Sequence, residues 1–203
     1  MTKRYNRRSI RLKGYDYSQA GLYFITICCK NQEHFFGCIS QQQMYLNDAG
    51  KMVESEWTQL PIRFPNIALH EYVVMPNHFH AIIEIVGATL VVAQRPKQNT
   101  QHSEQDTQHS EQDTQQGQQQ GIAPMCETLS TKKTLGDMVG AFQSLTTVEY
   151  IHGVKEYQWK RFSKKLWQRN YWEHIIRNER AYQNISNYIR NNPANWKDDT
   201  FFS

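Results

Sequence analysis

Residues 67–86 contain two strand-like runs separated by a turn, and this pair constrains the fold more than any other feature. The runs are IALHEYVVM and HFHAIIEIV, and Pro76-Asn77 between them is a turn signal. A third run, GLYFITICC, covers residues 21–29. We expect HFFGCIS at 34–40 to be its hairpin partner. A short-stranded antiparallel sheet is therefore predicted.

Helical patterns separate these runs. Asn47 or Asp48 is expected to cap a helix that passes through Trp57 and stops before Pro61 and Pro65.

The second half of the chain continues the alternation. Apolar residues at helical spacing cover 135–145, and 166–178 is predicted to form a strand with a turn. A last helix is expected over 179–192, with Asn178 as its cap and Pro193 after it. This order predicts an α+β domain with an antiparallel sheet and helices on one face.

A polar segment interrupts this pattern. TQHSEQD occurs twice in tandem, at 100–106 and 107–113, and no position of the repeat is apolar, which excludes a coiled coil. We expect 1–90 and 130–203 to form one domain, with 91–129 as a disordered, low-complexity insert. His102 and His109 in the repeats are ascribed to repeat expansion rather than to metal binding.

Composition limits the cellular setting. No stretch approaches the roughly 18 apolar residues of a membrane span, and the basic N-terminus lacks the apolar run of a secretory signal. The four cysteines form no CxxC pair and are predicted to be reduced. We therefore expect a cytoplasmic protein that does not contact a membrane.

The net charge of +4 is unevenly distributed. Two basic clusters are candidate contacts for phosphate backbones, although a solvated basic face is an alternative. The candidate DNA-binding residues are Arg4, Arg7, Arg8, Arg11, Lys13, Lys160, Arg161, Lys164, Lys165 and Arg169. The aromatic residues near the second cluster, which either stack on bases or pack in the core, are Tyr157, Trp159, Phe162 and Trp167.

His78 and His80 are the first candidate site residues. Residues two apart on a strand point to the same face, so both imidazoles project together while Phe79 enters the opposite layer. Two imidazoles in this arrangement can ligate one divalent metal if a third ligand comes from elsewhere. Two ordinary strand histidines are the alternative.

Tyr188 and Asn192 lie four residues apart in the predicted last helix and so share one face. Tyrosine can act as a nucleophile, and the amide oxygen of asparagine suits Mg²⁺ or Mn²⁺. A core role for Tyr188 is the alternative, because Tyr182, Ile185 and Ile189 lie on or beside the same stripe.

These motifs together resemble a known family. VVMPNHFHAII, WQRNYWEHIIRN and YIRNNP resemble the HUH single-tyrosine transposases, and more closely the REP-associated tyrosine transposases of bacteria. The resemblance runs from RRSIRLKG to NNPANW, outside the 91–129 insert. It implies a ferredoxin-like fold with the two histidines on a central strand.

The resemblance also implies an activity. It implies a metal-dependent endonuclease and strand transferase that cleaves single-stranded DNA near hairpins through a 5′-phosphotyrosine. His78, His80 and Asn192 would ligate Mg²⁺ or Mn²⁺, and Tyr188 would be the nucleophile. Relatives from insertion sequences typically carry glutamine at the position of Asn192, while His174 and Tyr182 are rival site residues. We expect no nucleotide cofactor, and either a monomer or a homodimer. The resemblance further implies a bacterial protein associated with the nucleoid.

Three other functions fit parts of the sequence. A non-catalytic DNA-binding protein that recognises palindromic repeats would keep the fold without cleavage. A structural zinc protein would need two further close Cys or His ligands. A replication initiator or relaxase of the HUH type would differ in motif order or tyrosine number.

Overall fold

The computed structural model describes Leu12, residues 14–87 and residues 132–201, and contains two sheets and four α-helices in those ranges. The strands are β1 (Gly21–Cys28), β2 (Gly37–Ser40), β3 (Gln43–Leu46), β4 (Ile67–Val74), β5 (His78–Ile85) and β6 (Trp172–Ile176). The helices are α1 (Asp48–Thr58), α2 (Leu60–Arg63), α3 (Leu135–Glu156) and α4 (Glu179–Asn191).

The main sheet has the strand order β4-β5-β1-β6, and every neighbouring pair is antiparallel. β1 and β4 are consequently parallel to each other with β5 between them, and β5 and β6 are parallel with β1 between them. Helices α1 and α3 lie in the two crossover connections. This is the predicted ferredoxin-like α+β arrangement, and it puts the two histidines on an inner strand.

One face of the main sheet packs against α1 and α3. Phe79 is at the centre of this core, and its ring centroid lies 4.9 Å from that of Trp57 and 5.1 Å from that of Phe142. All three side chains are fully buried. Truncating a phenylalanine in such a position typically costs about 3–5 kcal/mol of folding free energy.

The opposite face packs against α4. Ile82 on β5, Ile176 on β6 and Ile189 on α4 form a second buried cluster there. The expectation that all helices lie on one face is therefore wrong. Because nearly every residue of β5 is buried, and not only alternate ones, both faces of the sheet need a covering layer.

The predicted hairpin between 21–29 and 34–40 is also wrong. β2 pairs with β3 in a separate two-stranded sheet, whereas β1 pairs with β5 and β6. A strand with apolar residues on both faces, as in GLYFITIC, belongs at the centre of a sheet and takes long partners on both sides.

Helix ends follow the local sequence closely. Asn47 caps α1 by accepting from Gly50 N, and Asn178 caps α4 by accepting from Ala181 N. Pro61 does not end the helical region, because it occupies the first turn of α2, where a missing N–H costs nothing.

Three of the four cysteines lie in the part of the chain that the structure describes. Cys28, Cys29 and Cys38 are free thiols, while Cys126 and the expected 91–129 insert lie outside the described residues. Among the described helices, none is both long and apolar enough to cross a bilayer.

Candidate active site

His78 and His80 lie side by side on β5, on the sheet face that α4 covers. Their ring centroids are 4.5 Å apart, and their exposed fractions are 0% and 1%. Burial lowers the pKa of His78 to about 4, while the charge of Asp199 and the amide of Asn192 act in the opposite direction. Burial also lowers the pKa of His80 well below its usual value, and the charge of His78 adds to this effect. Both rings are therefore neutral at pH 7, which is the form that binds metals.

Hydrogen bonds fix the orientation of both rings. His78 Nδ1 donates to the amide oxygen of Asn77 at 2.8 Å, so its Nε2 carries a free lone pair. His80 Nδ1 is 2.8 Å from the hydroxyl oxygen of Thr26 on the neighbouring strand β1. Outer partners of this kind select the tautomer and direction of a metal-binding imidazole.

Asn77 also joins the histidine pair to two other segments. Its Nδ2 donates to the backbone oxygen of Gln32 at 3.1 Å and to that of Phe201 at 2.8 Å. Asn77 is fully buried, and these bonds hold the loop after β1 and the C-terminal segment against the strand that carries His78.

Tyr188 brings its hydroxyl to the histidine pair from α4. The hydroxyl is 3.3 Å from His80 Nε2 and 3.4 Å from Asp199 Oδ2. Burial, followed by the charge and hydrogen bond of Asp199, raises the pKa of Tyr188 to about 12. The phenol is thus protonated at neutral pH, although 44% of the residue is exposed and open to a substrate.

A β-bulge in β4 helps to hold α4 in this place. The register shift between Leu69 and Tyr72 inserts one extra residue opposite β5. His70 Nδ1 lies 3.2 Å from the hydroxyl of Tyr182, and Arg190 donates to Glu71 at 2.8 Å. Two adjacent residues of β4 therefore both reach α4, one at each end of the helix.

Asp199 completes a cluster that the sequence reasoning missed. Donor atoms of His78, His80 and Asp199 all lie within 4.8 Å of one another. Asp199 Oδ2 accepts from Asn192 Nδ2 at 2.7 Å, and Asp199 Oδ1 accepts from the backbone of Phe201 at 2.7 Å. Asp199 follows α4 in an irregular segment, so no periodic pattern relates it to the histidines.

The donor set fits a divalent cation. His78 Nε2 and Asn192 Oδ1 are buried, and within the described ranges neither has a hydrogen-bond partner. Buried acceptors are rarely left unsatisfied, and a cation would satisfy both. Two imidazoles, one carboxylate and an amide oxygen are a set that divalent metals accept.

Comparisons with known proteins agree with this architecture. An uncharacterised protein of Haemophilus influenzae (strain ATCC 51907 / DSM 11121 / KW20 / Rd) is 40% identical over 210 residues, covering 100% of this chain and 99% of that protein. The chain belongs to the same family as this Haemophilus protein. No protein-family model matches the chain.

A solved structure has the same fold. It is a REP-associated tyrosine transposase bound to a REP hairpin, with a TM-score of 0.50 and 15% identity over 94% of this chain and 74% of that chain. This chain has the fold of that transposase.

On this fold, the predicted site residues fall into two groups. Four of them converge on one site, namely His78, His80, Tyr188 and Asn192. The rival Tyr182 instead makes a hydrogen bond with His70. The other rival, His174 on β6, is directly opposite Phe24 on β1. It projects from the same sheet face as the site.

The predicted basic residues are only partly described. Arg4, Arg7, Arg8, Arg11 and Lys13 lie outside the described residues. Lys160, Arg161, Lys164, Lys165 and Arg169 are all exposed.

Three of these exposed side chains share one groove. Lys164, Lys165 and Arg169 line it together with Lys30. Lys160 instead pairs with Glu33 at 3.3 Å.

Most of the predicted stacking residues have structural roles. Trp167 is buried and donates to Thr146, while Trp159 and Phe162 pack on Tyr150. Of the four, Tyr157 alone is strongly exposed.

Proposed function

We propose that the protein is a metal-dependent endonuclease and strand transferase, a transposase that cleaves single-stranded DNA near hairpins through a 5′-phosphotyrosine. The observation that carries this proposal is the position of the Tyr188 hydroxyl, 3.3 Å from His80 Nε2 and beside His78 and Asp199. A nucleophile next to a divalent-cation site suits metal-assisted phosphoryl transfer to a protein side chain.

The roles of the chain's own residues follow from their contacts. His78, His80 and Asp199 would hold a divalent metal, and Asn192, which donates to Asp199, would offer its Oδ1 as a further ligand. A bound Mg²⁺ or Mn²⁺ would neutralise charge that develops on the scissile phosphate. Asn77 keeps His78 in the tautomer with a free Nε2 lone pair, and Thr26 orients the His80 ring.

Tyr188 performs the bond exchange. Its phenol oxygen attacks phosphorus, an O–P bond to tyrosine forms, and the bond from phosphorus to the 3′ oxygen of the preceding nucleotide breaks. The phenol loses its proton and the leaving oxygen gains one, so the products are a 5′-phosphotyrosyl strand and a free 3′-hydroxyl. Attack by a 3′-hydroxyl on the new linkage rejoins a strand without a nucleotide cofactor.

Two observations support DNA as the substrate. Lys30, Lys164, Lys165 and Arg169 line an exposed groove, and basic grooves bind phosphate backbones. The transposase of similar fold is bound to a REP hairpin in its own structure. We therefore propose hairpin-forming single strands as partners, bound by a monomer or a homodimer.

A covalent-adduct assay tests the proposal. Hairpin oligonucleotides from the DNA that flanks the gene are incubated with the full chain, with and without Mg²⁺ or Mn²⁺, and separated on an SDS gel. We expect a metal-dependent protein–DNA adduct that is lost in Tyr188→Phe. Tyr45→Phe is the matched control, because it removes the hydroxyl of an exposed tyrosine on β3, outside the site, and should leave the adduct intact.

Each component of the site has its own contradicting outcome. An adduct in Tyr188→Phe would show that another residue is the nucleophile. Undiminished cleavage after replacement of both His78 and His80 with alanine would refute the metal assignment. Hairpin binding without an adduct under any metal condition would favour the non-catalytic DNA-binding alternative.

A further inference from the structure

Two aromatic residues of the main sheet, Phe24 on β1 and Trp172 on β6, project from the face that carries Tyr188 and take no part in the chemistry described above. We propose that Trp172, flanked by Phe24 and His174, is a stacking platform for an unpaired nucleobase next to the cleaved phosphate. This inference rests on the proposed function and names the part of the DNA that the site would recognise.

Strand register puts Trp172 on the face of the active site. Trp172 on β6 is directly opposite Thr26 on β1, and Thr26 is directly opposite His80 on β5. Directly opposed residues in a sheet project to the same face, and the Thr26 hydroxyl does contact His80. With strands about 4.8 Å apart, Trp172 lies roughly 10 Å from His80 along the sheet.

Phe24 bridges the space between Trp172 and the nucleophile. Its ring centroid is 5.4 Å from that of His80 and 6.2 Å from that of Tyr188. Phe24 on β1 is directly opposite His174 on β6. These two residues are therefore the neighbours, on the same sheet face, of the opposed pair Thr26 and Trp172. Phe24 is therefore a ring neighbour of Tyr188 and, by register, the diagonal neighbour of Trp172 on the same sheet face.

Helix α4 leaves this surface open. α4 starts just after β6 and packs mainly on β4 and β5, while its Ile189 clusters with Ile82 and with Ile176, the last residue of β6. Ile176, at the end of β6 nearer the helix, is buried, whereas Trp172 at the other end is 54% exposed. An aromatic side chain with this exposure contributes little to the core. By register, it projects from the same sheet face as His80, which the Tyr188 hydroxyl contacts.

The charge nearby matches a nucleic acid. The chain at 166–168 runs beside Cys28, Cys29 and Lys30, since Gln168 N donates to Cys28 O at 2.8 Å and Lys30 N donates to Leu166 O at 2.8 Å. The basic groove of Lys30, Lys164, Lys165 and Arg169 is therefore at the end of the sheet where β6 begins with Trp172. A strand with its phosphates in this groove would therefore run along the end of the sheet that carries Trp172.

An exposed indole selects for unpaired bases. In a duplex both faces of each base are already stacked, so only a single-stranded nucleotide can offer a free face to Trp172. His174, two residues further along the same face, offers ring nitrogens to the edge of a neighbouring base. The platform thus binds the single-stranded flank of a hairpin and not its stem.

The test measures binding without cleavage. A fluorescent hairpin oligonucleotide from the DNA flanking the gene, carrying a single-stranded flank, is titrated with the full chain in EDTA, and the same hairpin without its flank is titrated in parallel. We expect Trp172→Ala to weaken binding of the flanked hairpin by about 5- to 100-fold, the range that loss of one base–aromatic stack produces. Binding of the hairpin without a flank should be unchanged.

Matched variants and base-free oligonucleotides make the test specific. Trp172→Phe should keep most of the affinity, and Tyr45→Ala, which removes a similarly exposed aromatic residue of β3, should change nothing. An abasic site at one flank position should weaken binding to the wild type but not to Trp172→Ala. Equal affinity of Trp172→Ala and wild type for the flanked hairpin, or an equal loss with and without the flank, would overturn the platform.

The result is separable from the test of the proposed function. A wild-type adduct together with full flank binding by Trp172→Ala refutes the platform and leaves the tyrosine chemistry standing. Absence of any adduct, with a flank-specific loss in Trp172→Ala, refutes the cleavage reaction and leaves the platform standing.

Discussion

Asp199 changes the chemistry expected at the level of single residues. The sequence suggested an amide, Asn192, as the third ligand, while the structure adds a carboxylate within 4.8 Å of both imidazoles. A carboxylate contributes negative charge as well as an oxygen, so it binds a divalent cation more strongly than an amide does. Asn192 donates to that carboxylate, so the two residues act on one site and are not alternatives.

Replacing Asp199 should weaken metal binding. We expect Asp199→Asn to lower Mn²⁺ affinity by at least about tenfold, since even the loss of an outer partner of a ligand has that effect. Titration calorimetry on the full chain measures the affinity directly. Asp198→Asn is the matched control, because it removes the same charge from the neighbouring, exposed position. Equal affinities of the two variants would remove Asp199 from the ligand set.

At the level of secondary-structure elements, β1 organises the molecule. It pairs with β5 on one side and with β6 on the other, and its own residues enter both cores. Its last residue, Cys28, and the following Cys29 are buried, and burial raises the pKa of Cys28 to about 12. Cys38, on β2 of the small sheet, is exposed.

Cysteine labelling should therefore report the integrity of β1. At pH 8, iodoacetamide is expected to modify Cys38 rapidly while Cys28 and Cys29 stay unmodified, because alkylation needs an accessible thiolate. Peptide mapping by mass spectrometry distinguishes the sites, and all three should react in denaturant. Labelling of Cys28 at the rate of Cys38 in the native protein would show that the end of β1 is not buried.

Elements with a strong local pattern were predictable from the sequence, and contacts between elements were not. The Asn178 cap and the pair on β5 follow from turn, cap and alternation signals that span a few residues. The partner of 34–40, the face on which α4 packs and the approach of Asp199 depend on long-range packing. No local pattern in one sequence encodes these contacts. For this reason the predicted hairpin between 21–29 and 34–40 and the predicted placement of all helices on one sheet face were wrong.

At the level of the whole molecule, the modest net charge conceals a local basic groove. A groove of this kind binds by releasing counterions from phosphates, so its contribution depends on salt.

Removing one charge from the groove should change the salt dependence of hairpin binding. For Lys165→Ala or Arg169→Ala, the slope of log affinity against log salt should become shallower by about 0.7–0.9, the value for one phosphate contact. Lys51→Ala, an exposed lysine of α1 paired with Asp48, is the control and should keep the wild-type slope. An unchanged slope in both groove variants would place the DNA elsewhere on the protein.

The topology of the sheet also divides the proposed active site between two stretches of chain. The histidine pair and its supports Thr26 and Asn77 come before residue 88, while Tyr188 and Asp199 come after residue 131. A chain cut anywhere between these stretches would yield two fragments, neither of which contains both a nucleophile and a ligand pair. The proposed DNA cleavage would then depend on reunion of the fragments through the β1–β6 pairing and the packing of α3 on α1 and of α4 on β4. The protein would therefore be suited to conversion into a split enzyme that acts only where its two halves are brought together.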